Sequence, residues 1–360
     1  MRYALIGCGR ISPNHIIAAR KNDLEIVAVS DIVRQNAEDK ILQCDLDPQA
    51  VKVYEDYKEM LEKEKPELVA IATESGKHAS IALDCIAAGC HVIIEKPIAL
   101  SIADADAIIA AGKAHNVLVC ANHQNRFNKS IQEIRKAIEK RRFGKLLYGT
   151  AHIRWARNHE YYDRAAWRGT WEQDGGALMN QCIHNIDLLR WMMGDEVECV
   201  YGMTDRLIHP YIEAEDLGLA VVKFKNGSYG TIEGTTDVYP RNLEETLYIF
   251  GEKGTVKAGG EAVSIIEEWK FSDHFGDEET IKKECSENPP NVYGFGHTKL
   301  YRNVIRAIEG KEKLVVDAEA GKRALELVLA IYKSAAEGKT VTLPLKNCST
   351  MDFVGRFDKN

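Results

Sequence analysis

A glycine-rich turn close to the start of the chain constrains the fold more than any other feature. Tyr3 to Ile6 is almost continuously apolar, which predicts a strand buried on both faces, and it runs directly into Gly7-Cys8-Gly9-Arg10-Ile11-Ser12. In such a turn the first glycine allows the tight bend, and the second lets a phosphate approach the backbone. The helix that follows offers unpaired N–H groups and the positive end of its dipole. The pattern predicts a dinucleotide site, with Ser12 in place of the third small residue. The alternative is a structural turn without a ligand.

The rest of the first 122 residues supports this prediction. Short β-branched runs alternate there with amphipathic segments such as Ile102–Ala114, a predicted helix with Ser101 as its N-cap. The further buried runs are Leu24–Ser30, Leu68–Ala72, His91–Ile94 and Val117–Cys120. Strand, helix and strand at this spacing predict an α/β fold with a doubly wound, parallel Rossmann sheet and right-handed crossovers.

Asp31 ends the second predicted strand of that sheet. A carboxylate at this position binds the adenosine ribose hydroxyls and repels a 2′-phosphate, so the sequence favours NAD over NADP. Arg34 follows closely enough to leave NADP open as the alternative.

The pattern changes after Asn122 to long alternating runs separated by turn signals such as Asn226-Gly227. These runs are Leu146–Trp155, Val197–Thr204, Asp216–Phe224, Ser228–Thr235 and Glu245–Phe250. They predict a C-terminal α/β domain with a large, mostly antiparallel open sheet, covered by helices at Asp187–Met193 and Ala318–Ala336. The acidic stretch Gly276–Asn291 is predicted to be a surface loop. We therefore expect a NAD-binding domain at 1–122 and a substrate-binding and oligomerisation domain at 123–360.

Composition excludes several classes of function. A net charge of -7 argues against a nucleic-acid partner, and no apolar run approaches the ~18 residues of a membrane span. The 9 cysteines form no CxxC pair, so we expect reduced thiols in a cytoplasmic protein, with neither a disulfide framework nor a metal site. The chain begins directly with a predicted strand, which leaves no room for a signal peptide.

Two side chains are candidates for the chemistry. Lys96 follows the fifth predicted strand in Glu95-Lys96-Pro97, where an ammonium could polarise a substrate oxygen and stabilise an alkoxide. The alternative is a surface lysine paired with Glu95. His184 ends a polar run that begins at Gly175-Gly176, and on a helix it would share a face with Asn180. A histidine there could move a proton, or it could be a core residue bonded to a carbonyl.

Taken together, these motifs resemble the Gfo/Idh/MocA oxidoreductases over nearly the whole chain. The motifs that carry the resemblance are Gly7-Cys8-Gly9, Asp31, Thr73 with His78, Glu95-Lys96-Pro97, Arg126-Phe127, Trp167-Arg168 and the Gly175-Gly176 helix ending at His184. The resemblance implies hydride transfer between NAD(P) and a sugar or polyol, with Lys96 and His184 beside the reacting carbon. The implied cofactor-binding residues are Gly7, Gly9, Arg10, Ile11, Asp31, Thr73, His78, Glu95, Lys96, Gln124, Trp167 and Arg168. The family often has Asp four residues before the histidine, whereas this chain has Asn180, which cannot act as a base.

The runs around Tyr161-Tyr162-Asp163 and His123 to Asn128 are similar to a subgroup, the WlbA-type UDP-N-acetyl-glucosaminuronate 3-dehydrogenases. This likeness implies oxidation at C3 in bacterial surface-polysaccharide (lipopolysaccharide, O-antigen) biosynthesis. It also implies an aminotransferase that accepts the 3-keto product, 2-oxoglutarate as a possible reoxidant of NADH, and a homotetramer or homodimer. The expected substrate-binding residues are Lys96, Arg126, Arg157, Tyr162, Asn180, Gln181 and His184.

A basic cluster offers a physical counterpart for such a doubly anionic substrate. Its members are Arg126, Lys129, Arg154, Arg157, Arg164 and Arg168. Aromatic side chains that could stack on the uracil or the sugar are Tyr161, Tyr162, Trp167 and Trp171. Three alternatives stay open: a dehydrogenase of a free polyol such as inositol, a reductase of a 3-keto sugar, and a non-enzymatic NAD sensor.

Overall fold

The computed structural model describes residues 1–260, 262–273, 278–289 and 293–358. Its contacts divide the chain into two compact units: Met1–His123 with His297–Lys322, and Gln124–Gly296 with Arg323–Asn360. The limits drawn from the sequence assign His297–Lys322 to the second domain, whereas this segment packs in the first unit. Part of the reason is a buried 2.9 Å hydrogen bond between the hydroxyls of Tyr301 and Tyr3.

The first 123 residues form a doubly wound parallel sheet, as predicted. Their elements are β1 (Arg2–Ile6), α1 (Ser12–Arg20), β2 (Glu25–Ser30), α2 (Arg34–Gln43), β3 (Lys52–Tyr54), α3 (Tyr57–Glu64), β4 (Leu68–Ile71), α4 (His78–Ala87), β5 (His91–Ile94), α5 (Ile102–Ala114) and β6 (Val119–Ala121). The 6-stranded sheet has the order β3-β2-β1-β4-β5-β6, so the chain reverses direction across the sheet between β1 and β4. Ser101 caps α5 as predicted, because its hydroxyl accepts a 3.0 Å hydrogen bond from the Asp104 amide.

The remaining elements include a second sheet and the helices around it. They are α6 (Lys129–Glu139), β7 (Leu146–Arg154), α7 (His159–Asp163), α8 (Ile183–Met193), β8 (Val197–Asp205), β9 (Leu217–Phe224), β10 (Tyr229–Thr235), β11 (Glu244–Gly251), β12 (Gly254–Gly259), β13 (Ile265–Phe271), α9 (Glu278–Cys285), α10 (Gly296–Ile308), α11 (Ala318–Glu337) and β14 (Val341–Thr342). The 8-stranded sheet has the order β13-β12-β11-β7-β10-β9-β8-β14. β7 and β10 pair in parallel and the other pairs are antiparallel, which confirms the mostly antiparallel sheet.

One face of this second sheet is covered, since α8 packs against β7, β10 and β11. The other face carries exposed apolar side chains. On β9, for example, Ala220 and Val222 are buried, whereas Leu219 and Val221 are 44% and 53% exposed. In the part of the chain that the structure describes, no helix combines the length and the apolar character that a membrane span requires.

The acidic stretch at Gly276–Asn291 contains a helix, so the predicted surface loop is wrong for its central part. α9 has Glu278 and Glu279 in its first turn and Lys282 and Lys283 in its last, charges that suit the helix dipole. Gly276, Asp277, Pro290 and Asn291 lie outside the described residues.

Candidate active site

The turn after β1 has the shape that a dinucleotide pyrophosphate requires. Gly7 has a φ of +94°, and a Cβ there would meet the Ala72 carbonyl group at 2.6 Å, so only glycine fits. A Cβ at Gly9 would meet nothing within 4 Å, which leaves room for a ligand against the backbone. α1 then begins after Ile11 without a side-chain N-cap, so its first N–H groups have no side-chain acceptor. The residues present therefore fit a bound pyrophosphate.

Asp31 lies beside this turn at the end of β2. One carboxylate oxygen accepts a 2.9 Å hydrogen bond from the Cys8 amide, and the other accepts one of 2.9 Å from the Val33 amide. The Asn36 side chain donates a further 3.1 Å hydrogen bond to the oxygen that Val33 bonds, so the carboxylate is held in place and the oxygen bonded by Cys8 keeps acceptor capacity for a ribose hydroxyl. Arg34, the cation that left NADP open, is paired with Glu38 at 2.8 Å. This arrangement fits NAD.

Both ring nitrogens of His78 lie within hydrogen-bond distance of backbone carbonyl oxygens. It is only 1% exposed, and its Nδ1 and Nε2 lie 2.7 Å from the Pro97 carbonyl oxygen and 3.1 Å from that of Thr73. Burial lowers the pKa of His78, which favours the neutral ring. His78, expected to bind the cofactor, thus contacts the carbonyl groups of Thr73 and of Pro97, the residue after Lys96. Glu95, also expected to touch the cofactor, is buried among protein partners.

The helix expected to carry His184 does not run regularly from Asn180. Leu178–Cys182 forms a π-helical turn, and α8 begins only after it, so the two residues are not related by a plain α-helical repeat. The prediction that Asn180 and His184 share one face of a regular α-helix is therefore wrong, because Asn180 lies within the π-helical turn. The half-buried imidazole lies with its Nε2 3.5 Å from the side-chain nitrogen of Gln124.

Asp174 is a site residue that the sequence reading missed. The amide nitrogen of Asn180 donates a short hydrogen bond to one Asp174 oxygen, and the other oxygen accepts 2.6 Å from the Gly169 amide. The donation fixes which way the Asn180 amide faces. A carboxylate therefore lies beside Asn180, six residues earlier in the chain than the aspartate usual in the family. Its position just before Gly175-Gly176 was the available signal.

A buried carboxyl group, that of Glu215, accepts a hydrogen bond from the π-helical turn. Glu215 is 0% exposed; one of its oxygens accepts hydrogen bonds of 2.7 Å from the Leu178 amide and from the Tyr332 hydroxyl. Burial raises the pKa of Glu215 to about 8, so the group is mostly protonated at neutral pH. A Cβ at Gly176 would overlap the other Glu215 oxygen, which explains the glycine there.

Most of the predicted basic cluster is neutralised by carboxylates. Arg126, expected to bind the substrate, is buried and pairs with Asp187 at 2.7 Å, so its charge is already matched by a buried anion. Arg154 pairs with Glu233 at 2.6 Å and with Glu244. The other pairs are Lys129 with Glu287 at 3.3 Å and Arg164 with Glu160 at 2.7 Å.

Arg157 and Arg168 differ from these, because within the described ranges neither has a carboxylate partner. Their guanidinium carbons lie 4.9 and 4.2 Å from the Tyr161 ring centroid. Gln181 joins the group, since it accepts 2.7 Å from Arg157 and donates 2.8 Å to the Tyr161 hydroxyl, which also accepts from Arg168. The Nε atoms of both arginines are buried and donate to no atom of the described chain. The arrangement can bind an anion that is not part of the protein.

Two aromatic candidates belong to the core instead. Tyr162 is 8% exposed with its hydroxyl 3.3 Å from that of Thr236, and Trp171 is fully buried. Tyr162, expected to bind the substrate, has the Tyr161 and His209 rings as neighbours. Tyr161 instead lies between the two arginines. Trp167 lies against Arg168, with 4.7 Å from the ring centroid to the guanidinium carbon.

His209 anchors the backbone of this arginine cluster. Its Nε2 lies 2.9 Å from the Arg157 carbonyl oxygen, and its Nδ1 lies 3.1 Å from Asp216 and 3.2 Å from Asp237. Although burial lowers the pKa of His209, the hydrogen bonds with Asp216 and Asp237 raise it to about 9. The imidazolium therefore donates from both nitrogens at neutral pH, which holds the Arg157 main chain in place.

Comparison with known proteins agrees with this geometry. A model of an oxidoreductase family's NAD-binding Rossmann fold matches residues 1–123, and a model of the same family's C-terminal alpha/beta domain matches residues 135–343. The WlbA dehydrogenase from Bordetella pertussis, solved in complex with NADH and UDP-GlcNAcA, is 39% identical, with 96% of this chain and 98% of that chain covered and a TM-score of 0.89. The WlbA dehydrogenase from Chromobacterium violaceum, solved with the same ligands, is 36% identical, with 96% of each chain covered and a TM-score of 0.87. Myo-inositol 2-dehydrogenase from Thermotoga maritima is 26% identical, with 95% of this chain and 98% of that protein covered.

A Rossmann domain with a pyrophosphate turn and a ribose carboxylate, joined to an α/β domain, defines the class of NAD-dependent oxidoreductases. Within this class, the chain belongs to the Gfo/Idh/MocA family. Its cofactor is NAD, and the activity that it shares with its relatives is NAD-dependent sugar dehydrogenation.

Proposed function

We propose that this enzyme oxidises the C3 hydroxyl of UDP-N-acetyl-glucosaminuronate with NAD. One observation carries the choice of an anionic substrate: Arg157 and Arg168 stand together without a carboxylate partner in the described chain, and their Nε atoms are buried and unpaired. A uronic carboxylate or a pyrophosphate supplies the acceptors that these donors lack, whereas a neutral polyol supplies no charge. The relatives solved with UDP-GlcNAcA are 39% and 36% identical, against 26% for the inositol dehydrogenase.

NAD supplies the hydride acceptor when bound. On the protein side, the Gly7–Ser12 turn binds the pyrophosphate, and Asp31 accepts the ribose hydroxyls. Lys96 and His184 work on the reacting C3 hydroxyl: His184 withdraws its proton, and the Lys96 ammonium stabilises the alkoxide from which hydride leaves. Their roles are exchangeable in this proposal.

The remaining side chains orient the sugar. Asn180, turned by its bond to Asp174, hydrogen-bonds a substrate hydroxyl, and Gln181 couples the sugar to the arginine pair. Gln124 and Trp167 are assigned to cofactor binding in this proposal, as the family resemblance implies.

The product defines a place in a reaction sequence. A 3-keto nucleotide sugar is an acceptor for an aminotransferase, which fits the building of an amino sugar for a bacterial surface polysaccharide. NADH is reoxidised in place by 2-oxoglutarate in this scheme. The free cysteines of the chain suit the reducing cytoplasm.

The chain is proposed to assemble with copies of itself, as a homodimer or homotetramer, through the open face of its second sheet. On this face Val221 pairs across the strands with Tyr201, and Leu219 pairs with Met203, which is 64% exposed. A contiguous apolar sheet face of this kind is typical of a protein interface, and a second copy offers the matching surface.

The test is a substrate panel followed by NADH absorbance: UDP-N-acetyl-glucosaminuronate, UDP-N-acetylglucosamine, free N-acetylglucosamine and myo-inositol. The proposal expects reduction of NAD by the first compound, and turnover at least tenfold slower for the others. Faster oxidation of myo-inositol would favour the polyol dehydrogenase, and activity only with a 3-keto sugar and NADH would favour the reductase. A sensor would reduce no cofactor with any compound.

A further inference from the structure

A buried carboxylate follows β5 directly, one residue before Lys96. Glu95 is 6% exposed, and one of its oxygens accepts hydrogen bonds of 2.9 Å from His15 Nε2 and 2.5 Å from the Asn122 side chain. The Nε2 atom of His297 lies 3.7 Å from the same oxygen. The other oxygen accepts 3.1 Å from the Lys96 amide.

The network is directed toward the carboxylate. The Nδ1 atom of His15 lies 2.7 Å from the Tyr301 hydroxyl, which lies 2.9 Å from the Tyr3 hydroxyl, so proton donation can run from Tyr3 through His15 to Glu95. Although burial alone would raise it, the hydrogen bond with His15 and the nearby His297 ring hold the pKa of Glu95 well below its usual range. Glu95 is thus a buried negative charge at neutral pH.

Its position relates this charge to one half of the cofactor. β5 lies in the half β4-β5-β6 of the first sheet, and Glu95 follows the carboxyl end of its strand, as Asn122 follows that of β6. In a doubly wound sheet the adenosine half of NAD lies over β1 to β3, and the nicotinamide half lies over the other strands. The nicotinamide ring is positively charged when oxidised and neutral when reduced.

We infer that Glu95, fixed by His15, Asn122 and His297, is an electrostatic device that favours oxidised over reduced nicotinamide in the bound cofactor. The inference rests on the proposed placement of NAD at the carboxyl edge of the first sheet, and it needs no particular sugar. Through a protein interior, a unit charge within roughly 10 Å of another changes an equilibrium constant by about tenfold. For a two-electron couple, tenfold corresponds to about 30 mV in midpoint potential.

The experiment measures the dissociation constants of NAD+ and NADH, by calorimetry and by NADH fluorescence, without any sugar substrate. Glu95→Gln keeps the shape and removes the charge, whereas Glu95→Asp keeps the charge and changes the reach. We expect Glu95→Gln to raise the ratio Kd(NAD+)/Kd(NADH) about tenfold, and Glu95→Asp to change it by less than about twofold. Glu62→Gln removes an exposed carboxylate from α3 and serves as the matched control, with an unchanged ratio.

Equal changes of the ratio in Glu95→Gln and Glu95→Asp would overturn the inference, because shape and not charge would then be responsible. So would an unchanged ratio in a folded Glu95→Gln protein. Should that variant not fold, the folded Glu95→Asp protein still tests the inference, because a tenfold rise of the ratio with the charge retained would also overturn it. Failure of the sugar panel leaves these measurements unaffected, so the two proposals fail separately.

Discussion

Replacing Arg157 with methionine tests the proposed substrate anion directly. Arginine has five N–H donors; here Nη1 donates to the Ala156 carbonyl and to Asn242, and Nη2 donates to Gln181. The Nε–H and one Nη2–H remain for a ligand, and these two suffice for a bidentate bond to a carboxylate or phosphate. Methionine keeps the apolar stem and removes all of the donors.

The magnitude follows from the kind of bond lost. Hydrogen bonds to a charged group contribute about 1.5–3 kcal/mol, which corresponds to a roughly 10- to 150-fold rise in KM for UDP-N-acetyl-glucosaminuronate. The value of kcat is expected to change by less than about threefold, since Arg157 makes no contact that arises only in the transition state. Arg154→Met is the matched control: its charge is already neutralised by Glu233 and Glu244, so KM should stay within about twofold.

A second substrate identifies which anion Arg157 binds. UDP-N-acetylglucosamine lacks the carboxylate. If Arg157 binds the carboxylate, Arg157→Met should change KM for UDP-N-acetylglucosamine by less than about threefold. If KM rises equally for both substrates, Arg157 binds the pyrophosphate. The reasoning is refuted if Arg157→Met and Arg168→Met leave KM unchanged for both substrates, or if Arg154→Met raises it as much.

Further predictions address the cofactor, the π-helical turn and the sheet face. Asp31→Ser removes the charge that repels a 2′-phosphate and should tighten NADP binding about tenfold, measured as Kd. Glu215 has a raised pKa, so its contribution to stability is present below pH ~4.5 and is lost as pH rises through about 8; Glu215→Gln should flatten the fall in Tm between pH 6 and 9. Asn180→Asp sets a second carboxylate against Asp174, and the shared proton should add an ionisation with a pKa above ~5 to the pH profile of kcat. Val221→Lys puts charge into the open sheet face and should lower the assembly state in light scattering without unfolding the chain; an unchanged mass would contradict the proposed interface.

The sequence predicted the first sheet nearly completely because its strands are buried on both faces. β4 and β5, for example, are continuous apolar runs with every residue or nearly every residue buried. β3 was missed since it has only 3 residues and none is fully buried. β12 and β13 were missed because Gly254, Gly259 and a Glu-Glu pair interrupt the alternation of apolar and polar residues. These strands are stabilised by pairing with their neighbours, which the local sequence pattern does not show.

The site was less predictable because charge pairing is a matter of distant contacts. Arg126 finds its carboxylate 61 residues later, and Arg154 finds Glu233 79 residues later. A local count of basic residues cannot show which cations are already neutralised. The π-helical turn likewise has a distant partner, because its Leu178 amide donates a hydrogen bond to Glu215, 37 residues later in the chain. Lys96 and His184 could be singled out because strand ends and family motifs mark their positions.

The charged side chains that lack an oppositely charged protein partner say more about the ligands of this protein than its net charge does. The net charge of -7 says little about the ligand, since most cations and carboxylates of the cluster pair with each other. Among the described groups discussed above, two differ: Arg157 with Arg168, which have no carboxylate partner, and Glu95, whose side-chain donors are His15 and Asn122. Burying an unmatched charge is unfavourable unless a ligand supplies its counterpart. In the reaction proposed above, an anionic sugar nucleotide matches the arginines and an oxidised nicotinamide matches the carboxylate, so the substrates of one oxidation account for both charges.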